Sequence, residues 1–134
     1  MMGFEWFDPE IGMPMVSIAD YGITFSKSAV KILGRPEYVA LGFDRENKRI
    51  VVKEVDEDYK NKIPFIDKER NGYVRINNRD FVRFVMKFLP EVNFSSKATR
   101  FLTYYDEEEE MLVIEMTRPL DADEQNENEK SDEK

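Results

Sequence analysis

The chain has 134 residues, 41% of them hydrophobic and 36% charged, with 10 Phe, 6 Tyr and 1 Trp. That is the size of one domain, with enough aromatic side chains to fill a small core. With no Cys and no His, disulfides, Cys or His zinc sites, thiol nucleophiles, Ser-His-Asp triads and imidazole acid–base chemistry are all excluded.

Residues 1–14 read as an N-terminal arm that carries acids and no base, so they do not form a signal peptide. Phe4, Trp6 and Phe7 lie close together ahead of Pro9 and Pro14. Such an arm either folds back on the domain or offers aromatic anchors to a partner. Residues 15–55 follow as a first β-α-β-β unit. A short strand is expected at Gly22–Phe25, then a helix opened by Ser26 as N-cap and closed by Gly34-Arg35-Pro36. A hairpin with a polar turn covers Tyr38–Val55. Residues 56–72 read as a charged linker with an apolar patch, Ile63–Ile66, and a turn at Asn71-Gly72.

The second unit, 73–118, repeats the pattern: a strand at Tyr73–Ile76, a helix at Arg79–Lys87 capped by Asn77 or Asn78 and stopped by Pro90, and a hairpin at Arg100–Thr117. The two hairpins align without a gap at an offset of 62, Asp44 on Asp106 and Ile50-Val51-Val52 on Leu112-Val113-Ile114. The helices align at an offset of 52, with every base on a base. Neither helix is long enough to be stable alone, so each must bury its apolar face on sheet. The expected fold is α+β: internally duplicated β-α-β-β units forming a pseudo-two-fold, largely antiparallel sheet with two helices packed on it. Residues 119–134 hold seven acids and two lysines, so the tail carries −5 of the net −8. With Leu120 as its one large apolar residue, it reads as a disordered acidic tail.

Two sets of residues are candidates for binding. The acidic and aromatic set comprises Phe4, Trp6 and Phe7 together with Asp106, Glu107, Glu108, Glu109 and Glu110 at the second hairpin turn, where the first copy is near neutral. Such a run either contacts a partner or is a solvated turn that discourages edge pairing, and Asp56-Glu57-Asp58 reads in the same way. The basic set comprises Lys27, Lys31 and Arg35 on the first helix and Arg79, Arg83 and Lys87 on the second. At i, i+4, i+8 each triplet forms an outward stripe able to meet phosphates or an acidic partner, as well as the ordinary solvated face of a surface helix. The acids lack calcium-loop spacing, and neither a GxxxxGK[ST] nor a GxGxxG turn is present. No catalytic residue, metal or cofactor is expected.

Residues 23–53, ITFSKSAVKILGRPEYVALGFDRENKRIVVK, resemble the AbrB/MazE-type swapped-hairpin domain of bacterial regulators and antitoxins. Ile23, Thr24, Lys27, Leu33, Gly34, Asp44 and Ile50–Val52 carry the likeness, while Ser26 replaces the usual Pro and the Gly-Asp after the helix is missing. The resemblance implies dimerisation, DNA binding through basic residues, and, by analogy with antitoxins, a tail that wraps a partner. The leading expectation is a non-catalytic regulator of bacterial or phage type that regulates or inhibits a protein partner through acidic and aromatic surfaces. The alternative is an AbrB-like DNA-binding regulator using the basic helix faces. No apolar run approaches the roughly 18 residues that span a bilayer, so no membrane partner is expected, the location is expected to be cytoplasmic, and the protein to be a monomeric pseudo-dimer or a homodimer.

Overall fold

The computed structural model describes residues 13–89 and 98–119. The expectations for the N-terminal arm, for Pro90 and for the tail beyond Pro119 lie outside these residues. Among the described residues the chain forms nine strands and two helices: β1 Met15–Ala19, β2 Gly22–Phe25, α1 Lys27–Leu33, β3 Tyr38–Asp44, β4 Arg49–Val55, β5 Ile63–Pro64, β6 Glu69–Arg70, β7 Tyr73–Asn77, α2 Arg79–Met86, β8 Thr99–Asp106 and β9 Met111–Pro119. The expected strands, helices and hairpins are all found within a residue or two. Three strands were not expected. β1 is one, and β5 and β6 occupy what the sequence presents as a linker, separated by a 3-10 turn at Ile66–Lys68.

All strands join one sheet in the order β5-β3-β4-β9-β8-β1-β2-β7-β6, every pairing antiparallel. The two edges of this order, β5 and β6, are consecutive in the chain, separated by residues 65–68. At no more than about 3.6 Å per residue that short segment holds the edges close, so the sheet must curl. Phe65 sits at the seam: its N–H donates to the Glu37 carbonyl (2.8 Å), and its buried ring meets Phe25 edge-on at 5.1 Å. Curling gives every strand one inward face. Val16, Ile18, Ile23, Phe25, Ile50, Val52, Val74, Ile76, Phe101, Leu112, Ile114 and Met116 alternate along their strands and form one core.

Both helices add to that core. Helix α1 contributes Ala29, Val30 and Leu33, and α2 contributes Val82 and Val85. Ser26 caps α1 by accepting the Ala29 N–H (3.2 Å), and the same hydroxyl accepts the Met15 N–H (3.0 Å), so one side chain starts the helix and anchors β1. Gly34 ends α1 in the left-handed region (φ 94°), as its place after Leu33 predicts. Asn78, and not Asn77, caps α2, accepting the Phe81 N–H at 3.1 Å. Gly22 is required by close approach: a Cβ there would lie 2.1 Å from the Ile76 carbonyl on the neighbouring strand β7. None of the helices among the described residues is long and apolar enough to cross a membrane.

Candidate functional site: two surfaces of opposite charge

The first surface grows from the β8–β9 turn. Asp106 Oδ1 accepts the N–H groups of Glu108 (3.0 Å) and Glu109 (3.1 Å), and Glu110 adopts a left-handed φ of 56°. The carboxylate of Asp106 therefore holds the turn, while Glu107, Glu108, Glu109 and Glu110 are exposed. Because β4 runs antiparallel to β9, the end of β4 lies beside this turn, and Lys53 Nζ reaches the Glu109 carbonyl at 3.2 Å. Glu54 and Asp56 thus share a surface depression with Glu110 and Tyr105, and a second depression continues through Glu57 to Glu37. Two acidic runs far apart in sequence, at 54–57 and 107–110, thus meet at Glu110, with Lys53 lining the first depression and Arg35 the second.

The equivalent turn between β3 and β4 is neutralised. Asp44 accepts from Asn47 (N at 3.2 Å, Nδ2 at 2.9 Å) and from Arg49 at 2.8 Å. The Asn47 side chain first, and then Arg49, hold the Asp44 carboxyl down at about 2. Further along the outer face, Tyr104 donates to Glu115 at 3.0 Å, and Glu115 pairs across strands with Arg49. Partial burial, reinforced by the Glu115 carboxylate, pushes the Tyr104 hydroxyl up. Where the first hairpin has Arg49, the second has Met111, and among the described residues Asp106 has no ion pair like that of Asp44.

The basic stripes on the helices are exposed, as expected, but they do not act alike. Arg35 is tied bidentately to Glu69 (3.0 and 2.7 Å), which holds the Glu69 carboxyl below its usual range. Lys27 lies over the Tyr73 ring at 5.9 Å, and Arg79 approaches Asp20 at 3.9 Å. Lys31, Arg83 and Lys87 have no ion-pair partner among the described residues. The helices pack on different strands, α1 chiefly on β8 and β7 and α2 on β2.

A second, positive surface was not singled out in the sequence. It lies on the outer face of β7, where Tyr73, Arg75 and Asn77 alternate with buried Val74 and Ile76. Arg75 sits over the Tyr21 ring at 5.0 Å. It borders two depressions, one shared with Lys68, Arg70 and Asp67, the other with Tyr21, Arg79 and Asp80. The alternation Tyr73-x-Arg75-x-Asn77 is the signal that could have found this face, once β7 is known to be a strand exposed on one side.

A third cluster is structural: Phe43, Phe84 and Phe88 meet at 5.5–6.1 Å, with the Arg45 guanidinium 4.6 Å above Phe88, joining the tip of β3 to α2. Phe4, Trp6 and Phe7 lie outside the described residues. Among the described residues no three carboxylates converge as a metal site. No protein-family model, curated protein or solved structure matches the chain.

Proposed function

We propose that the protein is a non-catalytic regulator that binds a basic surface of a protein partner through its negative face. One observation carries this reading: the fold brings Glu54 and Asp56 beside Glu110 at the end of the exposed Glu107–Glu110 turn, so charge that the sequence keeps in two separate runs comes together. Such a surface speeds encounter with a cationic partner and repels acidic ones. Asp106 organises the turn, and the four exposed glutamates make the contacts. A variant with Glu107, Glu108, Glu109 and Glu110 changed to Gln keeps that organisation and loses the charge. In a pull-down from nuclease-treated lysate, a protein retained by the native chain and lost by the variant is the expected result. Identical retention by both chains would sink the proposal.

The scaffold for this surface is, in the same proposal, a duplicated unit whose copies interleave about a pseudo-two-fold axis. Strand register supports it. Val51 pairs with Val113, its own counterpart at the hairpin offset of 62. Thr24 pairs with Arg75, its counterpart when Gly22–Phe25 is laid on Tyr73–Ile76. β1 pairs with β8 and β2, just as β5 pairs with β3 and β6 with β7, so the broken strand β5–β6 is the counterpart of β1. Lys48 and Glu110, both left-handed, occupy the same place in the two turns. The copies differ at their hairpin turns, near neutral at Arg45–Lys48 and fully acidic at Glu107–Glu110.

A further inference from the structure

The β7 face carries an inference independent of the negative surface. Lys27, Lys68, Arg70, Arg75 and Arg79 are all exposed around one five-residue strand. Lys27 opens α1 and reaches the Tyr73 end of β7; Arg79 opens α2 just past the Asn77 end. The strand thus sets cations along about 15 Å. Nearby acids are Asp67, Asp80 and Asp20, the last of which lies 3.9 Å from Arg79. Glu69, the acid on β6, is already neutralised by Arg35. On a chain of net charge −8, this is a local reversal of sign.

Charge alone would suit any polyanion, and the aromatic rings narrow the choice. Tyr73 is 47% exposed, and Tyr21 is half-buried beneath Arg75. Flat rings interleaved with guanidinium and ammonium groups suit unpaired bases, which stack on the rings while the cations follow the phosphates. A duplex hides its base faces, and an acidic polypeptide has none to offer. We infer that the outer face of β7 binds single-stranded nucleic acid, with Tyr73 as a stacking platform and Lys27, Lys68, Arg70 and Arg75 as phosphate contacts.

The test is fluorescence anisotropy of a labelled oligothymidylate of roughly 12 nucleotides with the full-length protein in about 50 mM salt. With four phosphates neutralised, affinity should fall about 50-fold between about 50 and 200 mM salt. Arg75→Glu should weaken binding about tenfold or more and flatten the salt slope. Tyr73→Ala should weaken it about fivefold or more, and Tyr73→Phe, which keeps the ring, should restore it. Lys31→Glu with Arg83→Glu, each one helical turn beyond the base that opens its helix and outside the two depressions that Arg75 borders, should change affinity much less. Thermal midpoints of all variants confirm that each is folded. The inference is overturned if the oligonucleotide does not bind saturably, if a duplex of the same sequence binds more tightly, or if polyglutamate of matched charge competes equally well. Equal losses from Arg75→Glu and the Lys31/Arg83 pair would also overturn it.

Discussion

Lys48 and Glu110, like Arg35, are residues where side-chain chemistry and backbone demand conflict. Each closes a hairpin turn at positive φ, 54° and 56°, a region where a Cβ crowds the following carbonyl. The turns are kept by Asp44 and Asp106, whose side chains accept backbone N–H groups at the tip. Glycine at either position removes the steric cost at some loss of unfolded-state entropy. Lys48→Gly and Glu110→Gly are therefore each expected to stabilise the protein by up to about 1 kcal/mol, read as a rise in urea midpoint with unchanged slope. Gly34 is the converse case, since it already supplies the left-handed residue that ends α1. Asp44 shows how partners decide charge. Its carboxyl is held at about 2, so its stabilising effect is complete above its ordinary 3.8 and fades as pH falls towards 2.

At the scale of elements, the two helices begin with similar caps that are not equal in consequence. Ser26 accepts from both Ala29 and Met15, so it serves α1 and the start of β1 together. Asn78 accepts from Phe81 and serves α2 alone. Ser26→Ala should then cost about 2 kcal/mol against about 1 kcal/mol for Asn78→Ala, compared by denaturant unfolding of both variants. Short helices of seven and eight residues cannot persist without such caps and the sheet beneath them. The caps were legible as Ser26 and an Asn before Arg79, because small polar side chains preceding an amphipathic run have few other uses. The second bond of Ser26 was not, since Met15 is far from it in sequence.

Across the whole molecule, no half of the chain owns its own sheet. β1 pairs with β8, β2 with β7 and β4 with β9, so strands of the first half lie against strands of the second. Phe65 binds the seam from within the connecting segment, fully buried against Phe25. Phe65→Ala should cost about 3–5 kcal/mol, and far- and near-UV circular dichroism should still lose signal in one coincident transition. Separate transitions for the two halves would contradict interleaving. Charge is also arranged at this scale, with acids gathered where β4 meets the β8–β9 turn and cations around β7.

Legible in the chain alone were the elements whose signals are local: both helices, the Ser26 cap and an Asn cap at 77 or 78, the strands Gly22–Phe25 and Tyr73–Ile76, both hairpins and the turn at Asn71-Gly72. Alternation, capping and left-handed turn residues act within a few residues, so they can be read from a single chain. The sequence by itself did not determine β5 and β6, because two-residue strands have no periodicity and exist only where Tyr38, Val39, Tyr73 and Val74 offer partners. Nor did it disclose the joined acidic surface or the β7 face. Both depend on which strands lie side by side, and that pairing is decided by burying one shared core, a property of the folded chain and not of any segment.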